Sequence, residues 1–393
     1  MTPRVLTLPF DRPAPLEPPP AYARLRASAP VTEVRTPDGL TGWLVTSYEA
    51  VATVLSDRRF RLAPPGEPSP GNDTLFQDGT AHLRLRRLVS RAFTPRSVNA
   101  LRPRVEQLAE EYVTALTDAG PPGDLVAGLS APLSVTVISE LLGVPHDERD
   151  HFRQLADAVS AVDLVFGGEE NAEAVAEAWN ALGAYTYLLV TTKRAEPGPD
   201  LLSALITVRD AEDGRLSDNE LVATATSLVA TGYLSACNAI SVGTMRLLAE
   251  GALPALATAD TATVSATVEE LLRLQAGRTG EPLPRYAHEG LELAGVPIAA
   301  GDQVLVRLEA ANRDPERFPD PDRLVPGRTG RPLPFGHGPH YCLGASLARI
   351  EVASALTALA RRLPGLRLHG RVEDVEWTRN AIDIGPTALP LSW

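Results

Sequence analysis

The stretch that decides the fold is FGHGPHYCLG, which runs from Phe335 to Gly344 and is built around Cys342. Glycines stand at positions 336, 338 and 344. They allow the backbone to wrap closely around the cysteine, where a side chain would collide with a flat ligand. Backbone N–H groups beyond the cysteine can then point at its sulfur and moderate its charge. The spacing therefore predicts a tight loop around the thiol.

Two other side chains of this stretch suit a ligand site. Phe335 can pack against the ligand, and His340 can reach a carboxylate on it. The alternative is an ordinary buried free cysteine in a glycine-rich turn, which is a common position for a lone cysteine.

A helix is predicted directly after the cysteine. The segment beyond Cys342 is rich in alanine and leucine, runs to Arg362 and ends before Pro364. A cysteine just before a helix N-terminus feels the positive end of the helix dipole, which favours the thiolate.

Composition limits the possible functions. The chain has 393 residues, of which 44% are hydrophobic and 22% charged, as in a globular protein with a sizeable core. Its formal charge of −12 argues against a nucleic-acid partner. The two cysteines, Cys237 and Cys342, give no disulfide framework and suit a reducing cytoplasm. The N-terminal 20 residues lack the apolar run of a signal peptide, so no membrane attachment is expected.

Strand patterns are confined to two regions. Val31–Arg35 and Gly42–Thr46 flank a turn, and a second region covers Leu291–Val306. The rest of the chain is mostly helical in pattern. We interpret the proline- and glycine-rich runs at 63–73 and 196–200 as surface loops. The chain is therefore predicted to be mainly α with small β-sheets, a single domain over residues 1–393.

One long helix is predicted to cross the middle of the protein. It begins at Ser217, which has Glu220 three residues later in the spacing of a capping box, and stops at Gly251. Its middle, from Leu228 to Ile240, is nearly uncharged on every face, which indicates a buried central helix.

These features together resemble the cytochrome P-450 superfamily, the haem-thiolate monooxygenases, and in particular its soluble bacterial, actinomycete-type members. The family's haem loop is matched at every fixed position from Phe335 to Gly344, including Gly336. The resemblance implies a single triangular domain with the family fold. It also implies a haem b (iron protoporphyrin IX) whose axial ligand is the thiolate of Cys342. Such a ligand donates electron density to iron and favours O–O cleavage.

The resemblance extends to residues that bind the haem propionates. His82 and Arg86 match a His-x-x-x-Arg pattern, Arg285 matches a further arginine, and His340 gives a fourth contact. Buried carboxylates need such partners. Taken without the resemblance, His82 and Arg86 would be a solvated basic helix face.

A third family feature is the Glu-x-x-Arg helix, matched by Glu270 and Arg273. In the family this pair continues to a second arginine with a structural role. Arg328 is the better match, and Arg317 is the alternative.

A basic stretch surrounds the His-x-x-x-Arg helix, with arginines at 84, 87, 91 and 96. It is either a solvated face or the docking site of an acidic redox partner. The resemblance implies ferredoxin and ferredoxin reductase as electron donors.

The central helix departs from the family pattern. Gly232 is kept, and its missing side chain can leave room for oxygen. The usual acid is replaced by Leu234 and the usual threonine by Ser235. Ser235 retains a hydroxyl that can hold water or bind peroxide, whereas Leu234 cannot relay a proton. We therefore predict catalytic roles for Gly232 and Ser235, with protons delivered through Ser235, water and a polar group of the substrate.

A second departure is the loop from Gln275 to Pro284, which is longer and more polar than usual. Arg278 or Glu281 could contact a polar substrate there, or the loop is a surface excursion. Other pocket residues are expected from 63–77, 162–168 and 382–387.

The sequence thus predicts oxidation of a small organic molecule, in a tailoring step of secondary metabolism, with dioxygen and ferredoxin-delivered electrons. Hydroxylation competes with coupling, rearrangement or desaturation, which the lost acid favours. A non-catalytic helper of another enzyme is the remaining alternative, although such a helper has no need of Cys342.

Overall fold

A computed structural model describes residues 6–69, 71, 73–91, 93–162, 168–210, 216–275, 283–378 and 383–393. The helices in these ranges are α1 Pro20–Ser28, α2 Tyr48–Ser56, α3 Gly79–Ser90, α4 Pro95–Ala119, α5 Ala131–Leu142, α6 Arg149–Ser160, α7 Gly168–Ala195, α8 Leu201–Asp210, α9 Asp218–Ala249, α10 Thr261–Gln275, α11 Leu308–Ala311 and α12 Ala345–Arg362. The strands are β1 Leu6–Thr7, β2 Val31–Arg35, β3 Thr41–Val45, β4 Phe60–Arg61, β5 Gly123–Asp124, β6 Arg285–Ala287, β7 Leu291–Leu293, β8 Val296–Ile298, β9 Gln303–Val306, β10 Arg367–Leu368 and β11 Pro390–Ser392. The predicted class, mainly α with small sheets, is confirmed.

The long helix α9 is the centre of the helical part. Its capping box is formed: the Ser217 hydroxyl accepts from the Glu220 N–H at 3.1 Å, and the Glu220 carboxylate accepts from the Ser217 N–H at 2.8 Å. Gly251 has a φ of +63° just beyond its C-terminus. By length and composition α9 could cross a membrane, but 72% of its most apolar 18-residue stretch is buried inside the protein. It packs against α5, α6, α7, α10 and α12, as a core helix does.

Remote parts of the chain meet in one six-stranded sheet, whose order is β1-β2-β3-β9-β6-β4. The predicted hairpin is β2 and β3, which pair antiparallel from Val31 with Val45 to Arg35 with Thr41. Strand β3 also pairs parallel with β9, placing Trp43 opposite Val304. The Trp43 indole N–H donates to the Asp302 carboxylate at 2.8 Å, 259 residues further along the chain. The sheet therefore fastens the N-terminal segment to the segment before the cysteine loop.

Helix α12 holds the cysteine loop against the helical core. It ends at Arg362, as predicted, and its buried face packs on α4 and α9. Leu347, Ile350 and Leu356 are all at most 6% exposed. Three apolar side chains of this burial contribute several kcal/mol, so the start of α12 is a fixed platform for the loop.

A buried ion cluster fixes the segment that leads into the cysteine loop. One carboxylate oxygen of Glu270 lies 2.7 Å from Arg273 Nε, and the other lies 2.7 Å from Arg328 Nε. Arg273 is 1% exposed and also donates to backbone carbonyls. The choice of Arg328 is confirmed. Arg317 instead stacks on the Tyr48 ring, with its guanidinium carbon 5.0 Å from the ring centroid.

Candidate functional site

The cysteine loop is a tight turn closed by its own backbone. The Cys342 N–H donates to the Phe335 carbonyl at 3.0 Å. Gly336 and Gly338 have φ values of +72° and +71°, which favour glycine. A Cβ on Gly338 would lie 2.4 Å from the Leu55 carbonyl oxygen at the end of α2. The loop therefore lies directly on the backbone of α2, and only glycine fits at that point.

Cys342 lies just before the N-terminus of α12. Its side chain is solvent-accessible although protein surrounds it on most sides, and this burial raises the thiol pKa. Backbone N–H groups of Gly344 and Ala345, at the start of α12, hydrogen bond to the sulfur and lower the pKa without reversing the shift. The expected preference for thiolate at the helix N-terminus is thus outweighed by burial. A coordinating metal ion is what deprotonates such a thiol.

Helix α3 binds the loop through the two residues of the His-x-x-x-Arg pattern. His82 is 1% exposed, and its Nε2 lies 3.2 Å from the Pro339 carbonyl oxygen. Arg86 donates to the Tyr341 carbonyl at 2.5 Å. Burial lowers the pKa of both side chains. Neither residue is on a solvated basic face, so that alternative is excluded by their contacts.

His340 and Arg285 join the same cluster through a residue that the sequence reasoning missed. Asp78 Oδ1 lies 3.1 Å from His340 Nε2, and Asp78 Oδ2 accepts from the Leu62 N–H at 2.7 Å. Burial alone would raise the pKa of Asp78, but these hydrogen bonds lower it. The His82 and His340 rings lie 4.1 Å apart. No local pattern marks Asp78, since its partner lies 262 residues away.

Arg285 is the residue whose surroundings point most directly to a missing partner. It is 6% exposed, and burial lowers its pKa to about 10, opposed by the charge of Asp78. Among the described residues its guanidinium donates only to the backbone carbonyls of Leu283 and Pro284, at 2.5 and 3.5 Å. A guanidinium has five N–H donors, so donors remain for a carboxylate.

Arg349, on α12, was also missed. Its guanidinium carbon lies 4.5 Å from the Phe335 ring centroid, and it pairs with the Glu269 carboxylate. Burial would lower the Arg349 pKa, but hydrogen bonds to Glu269 and Tyr341 raise it. Its charge lowers the pKa of the Cys342 thiol. Phe335 is therefore packed between the loop and a fixed positive charge.

The residues of this site fit a haem. The Cys342 thiol is solvent-accessible, and four cationic or hydrogen-bond-donating side chains lie together beside the loop: His82, Arg86, Arg285 and His340. A soft thiolate suits iron, and the cationic groups suit two carboxylates.

Position 234 of the central helix holds an apolar side chain in place of an acid. Leu234 is half-buried and packs against the apolar core. The Ser235 hydroxyl donates to the Thr231 carbonyl at 2.8 Å, which leaves its oxygen free to accept. A Cβ on Gly232 would meet Ile138 of α5 at 3.3 Å, so this glycine also allows close helix packing. A role for Gly232 toward oxygen stays a prediction.

The basic stretch is only partly a free surface. Arg84 pairs with Glu220 at the start of α9, which accounts for its position. Arg87, Arg91 and Arg96 are exposed. The docking surface predicted from sequence thus reduces to these three arginines.

Several predicted pocket residues lie outside the described ranges. These include Arg278 and Glu281 in the second departure, most of 162–168, and residue 382 of the tail segment. The second thiol, Cys237, is buried in α9, and burial raises its pKa to about 12. It faces the core rather than the cysteine loop.

Comparison with known proteins identifies the family. Residues 259–364 match the cytochrome P-450 family model. The chain is 39% identical to nocardicin C N-oxygenase of Nocardia uniformis subsp. tsuyamanensis, over 98% of each chain. It is 40% identical to mycinamicin IV hydroxylase/epoxidase of Micromonospora griseorubida, over 95% of this chain and 94% of the relative. The crystal structure of CYP105P1 in complex with filipin I superposes with a TM-score of 0.90 at 36% identity and covers 99% of both chains. Because the matching spans nearly the whole sequence and the whole fold, the chain belongs to the cytochrome P-450 superfamily of haem-thiolate monooxygenases.

Proposed function

We propose that the protein oxidises a small organic molecule in a tailoring step of secondary metabolism, using dioxygen and a haem held by Cys342. The observation that carries this proposal is the Cys342 thiol, which is solvent-accessible and accepts hydrogen bonds from the start of α12. Bound there, the haem would supply oxygen activation, favoured by electron donation from the thiolate. We keep the single-domain organisation over residues 1–393 as part of the proposal.

The chain's own residues would hold and orient the group. The Gly344 and Ala345 N–H groups moderate the charge on the sulfur. His82, Arg86, Arg285 and His340 would neutralise the propionates, and Arg285 has donors left for them. The loop residues Phe335, Gly336 and Gly344 would shape the wall next to the cysteine. The Ser235 oxygen would accept a hydrogen bond in the pocket.

Electrons would come from ferredoxin and ferredoxin reductase. Arg87, Arg91 and Arg96 are exposed positive charges in a chain with a net charge of −12, so they attract an acidic partner against the overall field. We expect the reaction to occur in the cytoplasm, where such carriers are found. We expect neither a membrane nor a nucleic acid as a partner.

The relatives support the substrate class and leave the reaction open. One is a hydroxylase/epoxidase of mycinamicin IV and the other an N-oxygenase of nocardicin C. Outcomes other than C–H hydroxylation therefore occur among similar chains. Leu234, in the position of the usual acid, favours an atypical oxidation such as coupling, rearrangement or desaturation as the second candidate.

The test of the ligand is a spectrum. The reduced carbon-monoxide complex should show the red-shifted Soret band that thiolate ligation of haem produces. Cys342→Ala should abolish this band, and Cys237→Ala, which changes the other cysteine, should keep it. A band that survives Cys342→Ala contradicts the assignment.

The test of the substrate class is a binding panel. Mycinamicin IV, nocardicin C and filipin I are the first compounds to add, because similar proteins are named for them or bind them. A haem spectral shift with a micromolar Kd identifies a ligand, and product analysis under ferredoxin-supported turnover distinguishes hydroxylation from the atypical outcome. Binding without any oxidised product contradicts the monooxygenase proposal.

A further inference from the structure

A buried carboxyl group lies against the central helix without a partner in the described part of the chain. Asp383 is 4% exposed, and neither of its carboxyl oxygens has a hydrogen bond of acceptable geometry to a described residue. Asn238 of α9 is close enough to affect the carboxyl's pKa, yet its own Nδ2 is equally unsatisfied. Buried polar atoms are nearly always satisfied in native proteins. Three such atoms together indicate a polar site that takes water or another hydrogen-bonding group.

The tail of the chain is pressed onto α9 at this point. A Cβ on Gly385 would lie 1.9 Å from Asn238 Oδ1, so the backbone at Gly385 is in direct contact with that side chain. The Gly385 N–H donates to Thr378 Oγ1 at 3.1 Å, and the Thr378 N–H donates to the Gly385 carbonyl at 2.9 Å. Asp383 is therefore held beside Asn238 by backbone contacts that do not depend on its own side chain.

The surroundings keep this carboxyl protonated near neutral pH. Burial raises the pKa of Asp383 to about 8, and Asn238 opposes the shift. The nearest titratable group on α9 is Cys237, whose own pKa is raised by burial and by Asp383. Arg153 and Asp157 of α6 act on the pKa of Cys237 in opposite directions. Among the residues that the structure describes, no cation lowers the pKa of Asp383.

Asp383 contacts the face of α9 that also carries Ser235. Asn238 lies three residues after Ser235, and side chains three apart on a helix are neighbours on one face. Leu234 packs against the core instead. Helix α9 thus has no carboxyl group at position 234, but the carboxyl group of Asp383 in the tail lies beside it.

We propose that Asp383, in the C-terminal tail, holds a proton beside the central helix. It donates this proton toward the site of oxygen reduction, in place of the acid absent at position 234. Its proton passes through water at the Asp383–Asn238 site to the neighbourhood of Ser235, and a proton from bulk solvent restores the acid. The inference rests on the oxygen chemistry of the proposed function. Reduction of dioxygen to hydrogen peroxide takes two electrons and two protons, so it demands protons even when no substrate is oxidised.

The first measurement does not depend on turnover. Infrared spectra of the haem-loaded protein near neutral pH should show the carbonyl band of protonated carboxyl groups. Asp383→Asn should remove one component of that band, and Glu351→Gln should remove another, because burial raises the Glu351 pKa to about 8 as well. An unchanged band in Asp383→Asn shows that Asp383 is ionised and overturns the proposal, whatever the enzyme's substrate.

The second measurement uses dioxygen as the probe. With excess ferredoxin and reductase and no substrate, we expect Asp383→Asn to slow peroxide release about tenfold or more and to raise the solvent isotope effect. Asp383→Glu should restore most of the rate, and Glu351→Gln should leave it unchanged. Equal slowing in both amide variants, or an unchanged rate in Asp383→Asn, overturns the assignment. If all variants lack the haem spectrum, the proposed function fails instead, and the infrared result stands separately.

Discussion

His340 and Asp78 are joined by a contact of 3.1 Å between Nε2 and Oδ1, across 262 residues of sequence. The contact ties the cysteine loop to the residue just before α3, and Asp78 also accepts from the Leu62 N–H. One carboxylate thus connects three segments that surround the proposed haem site. Its loss should therefore affect stability and cofactor binding together.

The first prediction concerns this carboxylate. Asp78→Asn should lower the free energy of unfolding by about 1–3 kcal/mol at pH 7, since hydrogen bonds to a charged partner are lost. Folding lowers the pKa of Asp78. Its stabilisation is therefore present above its ordinary pKa of 3.8 and is lost as pH falls through the lower folded value. In urea unfolding measured from pH 7 to pH 3, the free energies of unfolding of wild type and Asp78→Asn should approach each other only at the acid end. The exposed Asp118→Asn is the control, and a difference that grows toward low pH contradicts the assignment.

The second prediction concerns retention of haem. Arg285→Ala and Arg86→Ala should each leave a buried propionate without a partner, at about 1–3 kcal/mol. Transfer of haem to excess apomyoglobin should then be about 5- to 150-fold faster than in wild type, if the whole loss appears in the bound state. Arg87→Ala, on the exposed face of the same helix, should transfer haem at the wild-type rate. If both buried variants retained haem as wild type does, Arg285 and Arg86 would not be partners of the propionates.

The third prediction separates two glycines of the same loop. Both Gly336 and Gly338 have positive φ, so alanine at either position should cost about 1–2 kcal/mol of backbone strain. Only at Gly338 would the new methyl also meet a backbone oxygen, 2.4 Å away at Leu55, whereas nothing lies within 4 Å at Gly336. We expect Gly338→Ala to lose the carbon-monoxide band at a lower temperature than Gly336→Ala. If both variants lost the band at the same temperature, the end of α2 would be able to shift away from the loop at no cost.

The fourth prediction concerns proton delivery at the central helix. Ser235→Ala should lower product formed per electron consumed, because the pocket loses its hydroxyl oxygen. Leu234→Glu should not raise turnover strongly, since residue 234 packs against the apolar core. Substrate analogues that lack the polar group should bind and release peroxide. A wild-type ratio of product to electrons in Ser235→Ala, together with a strong increase of turnover in Leu234→Glu, would contradict this prediction. The enzyme would then be a slow hydroxylase in which the acid at position 234 has been lost.

Local patterns predicted the features that local chemistry controls. The glycine spacing gave the loop around Cys342, and the capping box gave the start of the central helix. The choice of Arg328 over Arg317 was also correct, because its distance from the loop was informative. The helix N-terminus lowers the pKa of the Cys342 thiol, as predicted, but burial raises it by more, and a sequence does not show how deeply a thiol is buried.

Pairings between remote segments were beyond the sequence. Asp78, Arg349 and Asp383 look like ordinary polar residues in their local context, and the role of each depends on residues of another element that lie beside it. Arg84 shows the converse: it belongs to a basic stretch by sequence, but its charge is used by Glu220. Only the folded chain determines which charges remain for a partner protein.

The parallel pairing of β3 with β9 has a consequence for the order in which the protein is made. The strand that carries Trp43 is synthesised early, but its neighbour at Val304 emerges only after the helical part, including α9, has left the ribosome. Contacts between segments so far apart in sequence form slowly. The end of α2, on which the cysteine loop rests at Leu55, is therefore secured late. A chain interrupted before β9 would hold α1 to α10 but would lack the strand that pairs with β3, the cysteine loop and α12, so it could not bind the cofactor.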